Sequence, residues 1–139
     1  MSGTSEKIIA ESAGQITSTT VLPPNGTRSR FEANYAGNGT LAGHQVRQLI
    51  TYEAESVGTN AISGTARGII TATDGADTAT FLGGGAGYRA EGSLEMVWQG
   101  YLALESQSPK FASLNGLLVR AVIKVGDDGK VNYQAMTWE

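Results

Sequence analysis

His44 is the only histidine in the chain, and there is no cysteine. One imidazole excludes a multi-histidine metal site and leaves a single group for acid–base work near neutral pH. Without thiols there is no thiolate zinc site, no thiol nucleophile and no disulfide scaffold. Serine and threonine are plentiful, but no Gly-x-Ser-x-Gly elbow occurs, so no hydrolase triad can be assembled around His44. Among the carboxylates, Glu53 and Glu55 share an outward parity with Arg47, and Arg67 lies outward on the next strand. Such groups read as cross-strand pairs worth roughly 0.2 to 1 kcal/mol rather than as a catalytic dyad. A paired acid and base in a pocket needs an inward carboxylate, and Glu6 alone has that parity.

Two glycine patterns imitate phosphate binders. Gly37-x-Gly39-x-x-Ala42 matches the dinucleotide fingerprint formally, but no helix follows to present its N-terminus. The run from Gly83 to Gly87 lacks the Lys-Ser/Thr of a phosphate loop. Both are read as strand or turn glycines, and no cofactor is expected.

The aromatic residues are the more suggestive set. Tyr35, Tyr52, Trp98 and Tyr133 share the inward faces of four strands, and Gln48 and His44 have the same inward parity. An apolar lumen with a few polar tips is how small-ligand sites are commonly lined. These six residues are the candidate ligand-binding set; the competing reading is that they only fill the core.

The elements that must position them are strands. Period-two alternation recurs along almost the whole chain, and no window shows capped helical periodicity. From His44 to Ala54, Val46, Ile50, Tyr52 and Ala54 oppose Gln45, Arg47, Thr51 and Glu53. Leu94, Met96, Trp98, Gly100, Leu102 and Leu104 form another inward set, as do Leu117, Val119, Ala121, Ile123 and Val125, and Phe31, Ala33 and Tyr35. Asp74-Gly75 and Asp127-Asp128-Gly129 read as hairpins, Gly58-Thr59-Asn60 and Ala90-Glu91-Gly92 as turns, and Pro23-Pro24-Asn25-Gly26 as a break after a short first strand. This gives about eight strands, roughly at 6–13, 28–37, 44–55, 61–73, 77–88, 93–104, 117–126 and 130–138. Long antiparallel strands joined by hairpins close most economically into a barrel, which also removes their edges. The chain is therefore read as all-β, a closed antiparallel β-barrel in one domain over 1–139. A sandwich, the alternative, uses shorter strands and crossovers. One long connection, Glu105 to Gly116, reads equally as a mouth cover, a binding loop or a plug.

The outward parity carries Leu49, Ile69, Val97, Tyr101, Leu118 and Val122, more apolar surface than a wet wall needs. A homo-oligomer packed through the barrel wall would cover it. The net charge is −3 and the basic residues are scattered, so neither nucleic acid nor a membrane surface is an expected partner. Met1 to Lys7 form no apolar run, and a cytoplasmic location is expected.

Gly39-Thr40-Leu41, Thr51-Tyr52-Glu53, Gly64 with Gly68, and above all Ser108-Pro109-Lys110-Phe111-Ala112-Ser113-Leu114-Asn115-Gly116 resemble a family of small bacterial proteins of unknown function. Their β-barrel is similar to that of allene oxide cyclase. The resemblance covers most of the chain after about residue 30, the long loop motif being its most specific part. It implies the barrel and an oligomer, and imports no activity. The expected function is binding of a small apolar or amphipathic molecule in the lumen. The alternatives are a cyclase or isomerase that steers a lipid-like substrate with Tyr52, Tyr35 or His44 as polar handle, and a structural barrel with a full core.

Overall fold

The computed structural model describes residues 6–138, with side chains over 7–137. Eight strands follow in order: β1 (Glu6–Asn25), β2 (Arg28–Leu41), β3 (His44–Ser56), β4 (Ala61–Ala72), β5 (Thr78–Arg89), β6 (Met96–Glu105), β7 (Leu118–Val125) and β8 (Lys130–Trp138). Each runs antiparallel to the next, and β8 returns to β1 to close the barrel. Among the described residues no helix is long and apolar enough to cross a membrane.

The alternation fixes which face looks inward, and the register fixes how the barrel closes. A row across the ladders passes from Phe31 through Ala54, Gly64, Gly85, Gly100, Ala121, Ala135 and Ala10. It returns to β2 at Leu41, ten residues beyond where it left. Such a stagger in eight strands corresponds to a tilt of about 35 to 45°. Side chains on one row therefore lie at different heights along the barrel axis.

Four sequence-based boundaries move. β1 does not stop near residue 13 but runs to Asn25, so the prolines sit in its last turn-side residues, where the ladder with β2 slips between Leu22 and Asn25. Thr17 to Val21 are solvated on both faces, which leaves no parity signal to mark a strand. β2 likewise runs past residue 37 to Leu41 and turns through Ala42-Gly43, with φ of +50° and +83°, the left-handed pair of a two-residue hairpin. Leu94, assigned inward, is 64% exposed in the loop before β6, and Leu117 precedes β7 in a similar position. Strand onset there is set by the loops, not by alternation.

The long connection plugs one end of the barrel. Residues Pro109–Leu114 form a 3-10 helix whose Phe111 and Leu114 are buried against Leu41, Val46, Ile70 and Val119. Its anchors are polar: the Asn115 side chain bridges the two arms of the loop through the Ser106 backbone, with Ser106 N–H donating to Asn115 Oδ1 (2.7 Å) and Asn115 Nδ2 to the Ser106 carbonyl (2.9 Å). Ser106 Oγ also donates to the Thr78 carbonyl (2.6 Å), and Lys110 Nζ reaches Asp74 (3.0 Å) and Asp77 (3.5 Å). The motif is thus a docking sequence in which small polar residues hold the loop and Phe111 and Leu114 fill the opening.

On the outer wall, Arg67 pairs with Glu53 (3.4 Å) and Glu32 (3.9 Å), Arg30 with Glu53 (3.6 Å) and Arg28 with Glu55 (3.0 Å). The expected cross-strand ion pairs form, using Arg28 and Arg30 in place of Arg47. Leu49, Ile69, Tyr101 and Leu118 face outward and are more than half exposed, as is Leu82 beside them, while Val97 and Val122 are half-buried.

Candidate functional site

The lumen is not uniform from end to end. At the plugged end the inward side chains of Leu41, Val46, Ile70 and Val119 are fully buried. At the opposite end Phe31, Tyr52, Trp98, Ile62, Ile123 and Val125 also point inward, yet all are only half-buried. That end is open to solvent. Beneath it lies a chamber of about 80 Å³ bounded by Tyr35, Ile50, Tyr52, Trp98, Ile123 and Tyr133.

Aromatic rings build its mouth. Tyr52 stands edge-on to Trp98, centroids 5.6 Å apart, and edge-on to Phe31 at 6.1 Å. Such T-shaped contacts pair the positive edge of one ring with the negative face of the next. The neighbouring strand leaves room for them: a Cβ on Gly87 would come within 2.9 Å of the Trp98 indole. Deeper in, the Tyr35 hydroxyl hydrogen-bonds Ser12 Oγ, whose inward place on β1 sequence reading did not single out. The available signal was its shared parity with Ala10.

The three chamber tyrosines are held in their neutral form. Burial pushes the Tyr35 phenol up, partly offset by its bond to Ser12; burial raises Tyr52; and burial, with a smaller contribution from Tyr35, raises Tyr133 strongly. Neutral phenols donate and accept hydrogen bonds but do not act as bases. A phenol whose folded pKa lies above its unfolded value stabilises the fold fully below the unfolded pKa and loses that contribution as pH rises through the folded one. Stability is therefore expected to hold up to about pH 10 and to fall above it. Denaturant titrations across the alkaline range, with phenolate absorbance followed in parallel, check this: the buried tyrosines should ionise only as the barrel opens. Full ionisation within an intact fold would contradict it.

The six candidate residues separate into two groups. Tyr35, Tyr52, Trp98 and Tyr133 bound the chamber. His44 and Gln48 do not line it. His44 lies edge-on to Phe111, centroids 5.8 Å apart, at the plugged end. Gln48 is 1% exposed, and neither its Oε1 nor its Nε2 has a hydrogen-bond partner among the described residues. A buried unpaired amide costs about 1 to 3 kcal/mol. Gln48→Leu is accordingly expected to raise the unfolding free energy by roughly 1 to 2 kcal/mol, read as a higher denaturant midpoint. A loss of similar size would show that the amide is satisfied in solution. Glu6, the one inward carboxylate of the sequence reading, has its side chain outside the described residues. Among the described residues no group of three or more His, Cys, Asp or Glu side chains is arranged to hold a metal ion.

The fold and its chamber define a small up-and-down β-barrel protein with a nearly filled lumen. No protein-family profile and no curated protein matches the chain. Solved structures do. A conserved protein of unknown function from Rhodopseudomonas palustris matches over 100% of both chains with a TM-score of 0.81 and 11% identity. A protein of unknown function from Clostridium acetobutylicum ATCC 824 matches over 99% of this chain and 100% of its own, with a TM-score of 0.83 and 9% identity. A β-barrel-like protein from Acinetobacter baumannii AYE matches over 100% and 98%, with a TM-score of 0.79 and 15% identity. At these identities the likeness is one of fold: this chain is built like bacterial β-barrel proteins of unknown function. None of the three is named as an allene oxide cyclase, and that finer resemblance rests on the sequence motifs alone.

Proposed function

We propose that this barrel binds a small apolar or amphipathic molecule in the aromatic half of its lumen, admitted through the end opposite the plug. The observation that supports this reading is the chamber of about 80 Å³ under a half-exposed aromatic mouth, while the other end is sealed. An apolar cavity of about 150 Å³ takes up benzene. A chamber near half that size suits a slender group, such as the end of an alkyl chain, with the rest of the molecule lying between Phe31, Tyr52 and Trp98. The hydroxyls of Tyr35, Tyr52 and Tyr133 would orient a single polar group.

Binding is favoured over a cyclase or isomerase because the chamber offers neutral phenols and no base, and because His44 packs on Phe111 instead. The small size of the chamber supports a second reading, a structural barrel with a filled core. Native mass spectrometry of protein purified from its own host separates the two, since a stoichiometric bound mass supports the binder. In parallel, Trp138→Phe leaves Trp98 as the sole tryptophan, and its emission is followed during titration with n-alkanols of increasing length. A saturable change, abolished when Ala66→Leu fills the chamber, supports binding. Bare protein with no saturable change from any chain length overturns it in favour of the filled barrel.

A further inference from the structure

Closing a barrel removes sheet edges, but here one edge survives. β8 pairs with β1 only from Glu6 to Gln15, and the last backbone bond between that side and β1 runs from Ile16 N–H to the Gly129 carbonyl (2.9 Å). Beyond it, residues 17–25 of β1 continue as a strand paired to β2 on one side. Among the described residues no strand pairs with its other side. The segment is exposed on both faces from Thr17 to Thr20, and Val21 is 85% exposed.

Exposed edges are ordinarily guarded by charge or by proline. Thr17-Ser18-Thr19-Thr20-Val21-Leu22 carries no charge and is rich in β-branched residues, and the prolines come only after it, at 23 and 24. The ladder with β2 is interrupted by a bulge between Ile16 and Ser18, at the point where the free edge begins.

We propose that this edge is a homotypic interface, in which Thr17–Leu22 pairs antiparallel with the same segment of a second copy about a two-fold axis. Three features favour a second copy over a foreign peptide. Self-pairing sets neutral, β-branched residues opposite one another, with no like charges in contact. A peptide added to a sheet edge draws its specificity from pockets for alternate side chains, whereas this segment is exposed from Thr17 to Val21 and only Thr17, at its start, borders a cavity. A two-fold contact consumes both edges at once and so closes at two copies, while Pro23 and Pro24 end the pairing.

The test is mass measurement in solution on the full chain, by light scattering and native mass spectrometry over a range of micromolar concentrations. A dimer is expected. Thr20→Lys and Thr20→Glu, each placing like charges near the axis, should weaken it at least about tenfold, and mixing the two variants should restore it as a heterodimer. Thr20 is exposed, and recovery on mixing also shows that both variants are folded. Hydrogen exchange should find amides between Thr17 and Leu22 protected in the wild type and exposed in Thr20→Lys. Leu82→Glu, on the apolar wall, should leave the dimer intact. A monomer throughout, a dimer indifferent to both Thr20 substitutions, or a dimer broken by Leu82→Glu alone would overturn the proposal.

Discussion

Replacing Phe111 by alanine is expected to lower the unfolding free energy by about 3 to 5 kcal/mol, the range for deleting a fully buried aromatic side chain. Phe111 has no exposed surface and sits in the cluster with Leu41, Val46, Ile70 and Val119. The size of the loss depends on whether the site can collapse. Here the plug is tied down by polar contacts that do not involve the ring: Ser106 with Thr78 and Asn115, and Lys110 with Asp74. The backbone is thus held in place, the cavity persists, and the loss should fall in the upper half of the range. A denaturant titration reads it as a lower midpoint at unchanged slope. A loss below about 1 kcal/mol would mean that the 3-10 helix is a surface cover and not part of the core.

Gly85→Ala should also be strongly destabilising, for the opposite reason. A Cβ at Gly85 would stand 2.2 Å from the Gln99 carbonyl oxygen and 2.7 Å from Gly100 Cα, and one at Gly100 would stand 2.3 Å from the Gly84 carbonyl oxygen. The obstacles are backbone atoms of the paired strand, which cannot move without opening the β5–β6 ladder. The expected cost is about 3 kcal/mol or more, at the top of the usual range for overpacking, with melting lowered by roughly 10 °C. Gly75→Ala is the matched control: its Cβ would meet nothing nearer than Asp77 Oδ2 at 3.6 Å, so a change within about 0.5 kcal/mol is expected. Equal tolerance at both positions would show that the barrel wall yields at Gly85.

Gly85 also shows why glycine content was informative but incomplete as a sequence signal. The run from Gly83 to Gly87 read as strand or turn glycines, and it lies within β5. Which glycines admit a neighbouring backbone and which merely occupy a loop follows from strand register, which composition does not contain.

The same division runs through the site. Alternation placed Tyr35, Gln48, Tyr52, Trp98 and Tyr133 on inward faces because the pleat of a strand sends successive side chains to opposite sides, a property of the local backbone. Hairpin chemistry and the number of alternating runs likewise carried the closed barrel. Where both faces of a strand are wet, as from Thr17 to Val21, alternation is silent, and the length of β1 and its free edge were hidden. The Ser108–Gly116 motif was conspicuous in the sequence, but its role as a plug depends on contacts with strands far away in the chain. Parity says whether a residue faces the lumen; it says nothing of height along the axis. Height is set by the ten-residue stagger accumulated around eight ladders, and it is this that places Tyr52 and Trp98 at the open mouth and His44 against the plug.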